Sequence, residues 1–94
     1  MILHKLTSSP YKDLTIQHCL QRLGDNDGVL LTQDAVYAVM HQDISHLLSQ
    51  LSGKVFMLKE DAEARGVLVN EYIQTIDYES FVELTLKFNQ VVSW

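Results

Sequence analysis

The side chain with the greatest intrinsic reactivity in this sequence is the thiol of Cys19, its single cysteine. A cysteine attacks or carries sulfur as its thiolate, which needs a nearby cation or a helix N-terminus to lower the thiol pKa. Arg22 follows three positions later, whereas His18 points about 100° away around a helix. Two roles stay open, a persulfide carrier and a small hydrophobic residue. Since Cys19 falls on the apolar stripe of a predicted helix, we expect it to be packed.

Three aspartates follow predicted strands, where acid–base chemistry is often placed: Asp34, Asp61 and Asp77. Each also stands near the first residue of a predicted helix, where a carboxylate accepts hydrogen bonds from free backbone N–H groups. We therefore interpret all three as residues that cap or begin helices, and not as general acids or bases.

The histidines give no metal-binding pattern. His41 and His46 are five residues apart, which places them on different faces of a helix, and His4 and His18 lack partners at a metal-ligand spacing. A single cysteine also excludes an internal disulfide and the four-cysteine zinc sites. We expect no metal and no cofactor.

The loops after the predicted strands exclude two classes of α/β protein. The first loop is Thr7-Ser8-Ser9-Pro10 and the second begins Gln33-Asp34, so no glycine-rich phosphate loop follows a strand. A nucleotide site is therefore not expected. A response-regulator receiver is excluded as well, because serines and proline stand where its first strand would lead to paired acids.

Helices and strands that would position these residues alternate along the chain. Apolar spacing predicts helices over residues 11–23, 35–39, 43–51 and 60–65, and a last helix after Asp77. Gly24 is predicted to be a left-handed cap of the first helix, and Gly66 is predicted to end the fourth. Strands are predicted over residues 1–6, 29–32, 54–58 and 72–76, with an edge strand at 91–94, while 67–69 is a connection of undefined type. Crossovers of about ten residues or more imply parallel strands and right-handed connections. The fold class is a three-layer α/β/α sandwich with a mainly parallel, four- to five-stranded sheet, in one domain of residues 1–94.

Composition bears on partners and location. The 94 residues carry twelve Asp and Glu against seven Lys and Arg, a net charge of −5, so the chain repels a phosphate backbone and we expect no direct nucleic-acid binding. No apolar run approaches the roughly 18 residues of a membrane span, and no signal peptide is evident. We expect a cytoplasmic protein. The cations form no cluster and are Lys5, Lys12, Arg22, Lys54, Lys59, Arg65 and Lys87.

Several residue strings together resemble the TusB/DsrH family of sulfur-relay proteins over the whole chain. One departure is Ala35, where the family often has glycine. The strings are Leu3-His4, Ser9-Pro10, residues 30–36 (LLTQDAV), Asp61, Ala64-Arg65-Gly66, residues 76–85 (IDYESFVELT) and Trp94.

The resemblance implies a DsrE/DsrF/DsrH-like subunit of a heterohexamer that contains two copies each of three related chains, the others being TusC/TusD-like sister subunits. The complex would take persulfide sulfur from an upstream carrier and pass it downstream toward 2-thiolation of the tRNA wobble uridine. A sister subunit would hold the principal cysteine, which makes this chain mainly an interaction subunit. One alternative is a sulfurtransferase that uses Cys19 as persulfide carrier, possibly in DsrH-type sulfur oxidation. Another is a flavodoxin-like domain that binds a small ligand.

Overall fold

A computed structural model of the protein describes residues 1–68 and 71–94. Its centre is a sheet of five strands: β1 (Ile2–Leu6), β2 (Gly28–Leu31), β3 (Val55–Leu58), β4 (Gln74–Ile76) and β5 (Gln90–Ser93). The strands lie in the order β4-β3-β2-β1-β5, and every neighbouring pair is parallel. The predicted parallel sheet is confirmed, with the last strand at an edge beside the first.

Four α-helices and one 3-10 helix connect the strands. They are α1 (Thr15–Gln21), the 3-10 helix Gln33–Met40, α2 (Gln42–Ser49), α3 (Lys59–Ala64) and α4 (Tyr78–Lys87). None of the helices in the described residues is long and apolar enough to cross a membrane.

Alternate residues of the strands build two separate cores, one on each face of the sheet. Leu6, Leu31 and Met57 belong to the larger core, which α1, the 3-10 helix, α2 and α3 cover. Leu3 and Leu30 belong to the smaller core, which packs against α4 alone. Helices on both faces confirm the three-layer sandwich, with the two faces covered very unequally.

The central position of β2 explains its sequence. Gly28 and the three apolar residues that follow it are all buried, because both faces of this strand are covered and both edges are paired. Gly28 is needed there, since a Cβ at this position would lie 2.8 Å from the Cζ atom of Phe88.

Helix α1 differs most from its prediction. It begins at Thr15 and not at residue 11, because Ser9 and its neighbours form turns and the Asp13 carboxylate accepts from the Thr15 N–H at 3.1 Å. The prediction of a left-handed cap at Gly24 was wrong, since α1 ends at Gln21 with Arg22 as its C-cap, and the Gly24 N–H donates to the Asp27 carboxylate instead. The prediction that Gly66 ends the helix after β3 is confirmed, since α3 ends at Ala64 and Gly66 follows its C-cap with a φ of +64°.

Other elements also differ from their predictions. The predicted short helix after β2 is a 3-10 helix, and β4 begins at Gln74, two residues later than expected. Of the connection 67–69, residue 69 lies outside the described part of the chain.

Candidate functional site

The carboxyl ends of the parallel strands gather four polar residues at one edge of the sheet, and we call Gln33, Asp34, Asp61 and Arg65 the carboxyl-edge cluster. The Gln33 N–H donates to Asp61 Oδ2 at 2.7 Å, which joins the end of β2 to α3. Arg65 Nε donates to Asp34 Oδ1 at 2.9 Å, and its Nη1 donates to the Asp61 carbonyl oxygen at 3.2 Å. These contacts clamp the segments that follow β2 and β3.

The structure separates the three aspartates that the sequence treated alike. Asp77 caps α4 as predicted, since its carboxylate accepts from the Ser80 N–H at 2.8 Å, a bond that lowers the Asp77 pKa. Asp34 lies in the first turn of the 3-10 helix, but the prediction that it caps this helix was wrong: Thr32 occupies the N-cap position without a capping side-chain bond, and Asp34 pairs with Arg65. Asp61 does lie in the first turn of α3, but its carboxylate binds a different element.

The cluster orders the backbone. Gln33 has a φ of +48°, a left-handed conformation that L side chains disfavour, and the bond that its N–H donates to the Asp61 carboxylate holds it there. The Asp34 carboxylate raises the pKa of the Arg65 guanidinium, which is charged at every pH at which the protein folds. Asp61 binds the backbone N–H of Gln33, and Asp34 binds the guanidinium of Arg65. Because both carboxylates join the segments that follow two different strands, we interpret the cluster as a structural clamp between strand ends.

Cys19 lies on the buried side of α1, with an exposed fraction of 0%. Burial, and secondarily the negative charge of Asp27, raise the pKa of its thiol to about 11. Arg22, the cation that could have stabilised a thiolate, is exposed and donates to the His18 carbonyl oxygen at 3.5 Å. These surroundings support the packed interpretation and oppose formation of a thiolate near neutral pH. Whether Cys19 ever carries sulfur stays a prediction.

Sequence reasoning missed a polar network in which the buried His4 contacts the partly buried Asp27 and Trp94, and we call it the His4 network. His4 Nε2 lies 3.1 Å from Asp27 Oδ2, and Trp94 Nε1 lies 3.1 Å from His4 Nδ1. The Asp27 carboxylate also accepts from the backbone N–H of Ile2 at 2.9 Å and of Gly24 at 3.0 Å. The network therefore joins the starts of β1 and β2 to the residue that follows β5.

The chemistry of the indole fixes the proton positions in this network. An indole nitrogen can only donate, so His4 Nδ1 accepts and His4 Nε2 carries the proton that Asp27 receives as a hydrogen bond. That bond, followed by those from Gly24 and Ile2, lowers the pKa of Asp27 to about 2. Both His4 nitrogens are thus occupied, which suits a positioning role for the ring.

Two of the other three histidines, His41 and His46, have side-chain partners. His41 caps α2, since its Nδ1 accepts from the Ile44 N–H at 3.2 Å, and its ring lies 5.0 Å from that of Tyr11. His46 Nε2 lies 3.5 Å from the Gln50 side-chain nitrogen. Across residues 1–68 and 71–94, no three metal-ligating side chains come together. The sequence signal for the cap of α2 was the position of His41, three residues before Ile44.

A cleft lies between the start of α1 and α2, beside the loop that follows β1. Leu14, Ile44 and Leu47 contribute its apolar walls, and Asp13 and Asp43 its polar rim. It holds about 120 Å³, well below the roughly 300–1,000 Å³ typical of sites for small organic ligands. This cleft is too small for such a ligand, whereas a more open cleft beside β4 and α4, lined by Phe56, Thr75 and Phe88 among others, holds about 450 Å³.

The strand order and the two covered faces define a small parallel α/β/α protein. The same fold is found in the crystal structure of the ychN protein from E. coli, with a TM-score of 0.72 and 17% identity over 99% of this chain and 97% of that one.

Sequence comparison defines the family. The family described as DsrH like protein matches residues 8–91. The chain is 34% identical over 96 residues to Protein TusB of Pectobacterium parmentieri and 35% identical over 96 residues to Protein TusB of Enterobacter sp. (strain 638), covering 99% of this chain and 100% of each relative. Protein TusB of Photorhabdus laumondii is 37% identical over 98 residues, with the same coverage. The chain therefore belongs to the TusB/DsrH family.

Proposed function

We propose that this chain is an interaction subunit of a heterohexameric sulfur-relay complex, which passes persulfide sulfur toward 2-thiolation of the tRNA wobble uridine. The observation that carries the proposal is the similarity to TusB proteins along the whole length of the chain and of its relatives. In this proposal the partners are TusC/TusD-like sister subunits and the sulfur carriers upstream and downstream, all in the cytoplasm.

The surroundings of Cys19 support a role without catalysis. In sulfur relay, a thiolate attacks the outer sulfur of a donor persulfide, the S–S bond of the donor breaks, and the donor leaves as a thiolate. The attacking sulfur must be ionised and accessible, whereas Cys19 is buried and its pKa is about 11. A sister subunit is therefore the better place for the principal sulfur-carrying cysteine.

Charge supports an indirect relation to RNA. The chain has a net charge of −5, and its seven cationic residues are dispersed along the sequence. Tight binding to a tRNA backbone would require several cations on one surface. We expect the purified chain to bind tRNA weakly at most in a gel-shift titration at physiological salt, and a submicromolar, strongly salt-dependent affinity would contradict this expectation.

Assembly is the first test of the proposal. The chain should be co-expressed with the TusC- and TusD-like chains of the same organism, and the complex weighed by native mass spectrometry. We expect one species with two copies of each chain. We also expect deletion of the gene to lower 2-thiouridine in cellular tRNA. A well-behaved monomer that ignores both sister chains would contradict the proposal.

Replacement of Cys19 by serine distinguishes an interaction subunit from a sulfur carrier. A buried hydroxyl without a partner lowers the free energy of unfolding by roughly 1–3 kcal/mol, but tRNA thiolation per folded complex should stay unchanged. The native complex should also be incubated with a persulfide donor and its subunits weighed. The gain of one sulfur atom on Cys19, at the yield seen on the sister subunit's cysteine, would favour the alternative role as persulfide carrier, in tRNA thiolation or in sulfur oxidation.

A further inference from the structure

Helix α4 leaves part of its face of the sheet uncovered. A helix is about 10 Å wide with its side chains, whereas five strands about 4.8 Å apart span roughly 19 Å. The result is a cleft between α4 and the strands β3 and β4, which we call the α4 cleft. It holds about 450 Å³, within the roughly 300–1,000 Å³ typical of sites for small organic ligands.

The floor of the α4 cleft is apolar and partly aromatic. Ile76 and Leu84 are buried members of the smaller core, and Phe56 and Phe88 are partly buried beside them. These side chains come from β3, β4 and the second half of α4 with its C-cap, so the sheet and the helix hold the floor together. Aromatic and aliphatic surface of this kind favours a ligand with an apolar body.

Two opposite charges stand on the α4 side of the same cleft. Glu83 and Lys87 both line it, and their spacing of four residues puts their Cβ atoms about 5–6 Å apart. The pair Lys59 and Glu63, with equal spacing on α3, approaches to 3.9 Å. Within residues 1–68 and 71–94, however, neither Glu83 nor Lys87 has an oppositely charged side chain within 4.0 Å. Both charges are therefore available to a ligand.

The two charges select a class of ligand. A molecule with a single charge would pair with one of these side chains and leave the other without a partner. A free α-amino acid carries an ammonium and a carboxylate on the same carbon atom, so it can meet both charges at once. Its side chain would then lie on the floor of the cleft, where an apolar side chain is favoured.

We propose that the α4 cleft binds a free α-amino acid with an apolar side chain, whose ammonium pairs with Glu83 and whose carboxylate pairs with Lys87. Charge-assisted hydrogen bonds to both groups fix the orientation of the ligand, and the floor supplies apolar contact. This site is independent of a role in sulfur relay.

The first test varies the charges of the ligand. L-phenylalanine is titrated into the isotopically labelled full-length protein, and the NMR shifts of the backbone amides are followed. We expect a dissociation constant of about 1 mM or lower, as ligand efficiency allows for so small a molecule, with shifts in β4 and α4. Phenethylamine lacks the carboxylate and phenylpropionate lacks the ammonium, and each should bind about tenfold more weakly because one charged partner is lost.

The second test removes the charges of the protein. Glu83→Gln should weaken L-phenylalanine by about tenfold but should not weaken phenylpropionate, which has no ammonium for Glu83. Lys87→Gln should weaken L-phenylalanine equally but should not weaken phenethylamine. Glu79→Gln and Lys12→Gln, at exposed positions that do not line the cleft, are the matched controls and should bind like the wild type. The melting temperature of each variant confirms folding.

Three results would overturn the inference. If either analogue binds the wild type as tightly as L-phenylalanine, the two charges do not select the ligand. If L-phenylalanine shows no saturable binding, or shifts only amides outside β3, β4 and α4, the cleft is not the site. If binding is lost when the chain is co-purified with the TusC- and TusD-like chains, the cleft is a subunit interface. A failure of those chains to associate would contradict the proposed function alone, and the titration of the single chain would still decide the inference.

Discussion

The His4 network and the carboxyl-edge cluster contain contacts of nearly equal length in very different surroundings. His4 and Asp27 approach to 3.1 Å with side chains only 8% and 13% exposed. Arg65 and Asp34 approach to 2.9 Å, but their side chains are 25% and 59% exposed. Water has little access to the first pair to replace a lost partner, whereas it reaches the second pair freely. Burial, and not contact length, should therefore decide which network stabilises the fold.

The largest effect is expected when the carboxylate of the buried network is removed. Asp27→Asn deletes the charge that accepts from His4 and from two backbone N–H groups, and we expect the free energy of unfolding to fall by about 1–3 kcal/mol. Urea denaturation measures this loss. Asp25→Asn, an exposed change in the same turn, is the control and should leave the denaturation midpoint in place.

The pH dependence of that difference tests its cause. The pKa of Asp27 is about 2 in the folded protein, below its ordinary value of 3.8, so the ionised carboxylate stabilises the fold fully above about pH 4. This contribution is lost as the pH falls toward 2. We therefore expect the stabilities of the wild type and Asp27→Asn to converge between about pH 4 and pH 2. A constant difference across that range would mean that the charge is irrelevant.

A smaller effect is expected at the other end of the His4 network. Trp94→Phe keeps most of the ring that packs against the larger core but removes the donor to His4 Nδ1. Because a buried acceptor is left unpaired, we expect a loss of about 1 kcal/mol, together with faster amide hydrogen exchange in β5. Unchanged exchange in β5 would show that the indole bond does not hold this strand.

The smallest effect is expected in the exposed cluster. Asp34→Asn removes the ion pair with Arg65 but leaves an amide oxygen able to accept, and solvent compensates for the charge. We expect a thermal midpoint indistinguishable from that of the wild type at moderate salt. A loss as large as that of Asp27→Asn would remove the distinction between the two regions.

The features that sequence predicted well are those fixed by neighbours along the chain. The apolar run of β2 and the Asp77 cap of α4 depend on residues within a few positions, and both are confirmed. The parallel α/β/α architecture followed from the alternation of such segments. The resemblance of residue strings indicated the family, which apolar periodicity cannot supply, and the comparisons confirm that family.

The features that sequence missed depend on residues far apart. Asp34 was expected to cap a helix because nothing local reveals Arg65, which is 31 positions away. His4 looked isolated because its partners are 23 and 90 positions away. We expected Cys19 to be buried because it falls on the apolar stripe of a predicted helix. That Cys19 lies near the charge of Asp27 was not foreseeable from the sequence.

The position of β5 beside β1 also constrains how the protein folds. Strands β1 to β4 can pair with neighbours in chain order, while the β1–β5 ladder joins Ile2 to Gln90 and is completed by the bond between residues 90 positions apart. Closing so long a loop carries a large entropic cost before any contact compensates it. During synthesis, the edge of β1 therefore stays open until the segment that forms β5 has left the ribosome, and an unpaired strand edge is a site of aggregation. The nascent chain is thus most vulnerable just before β5 emerges.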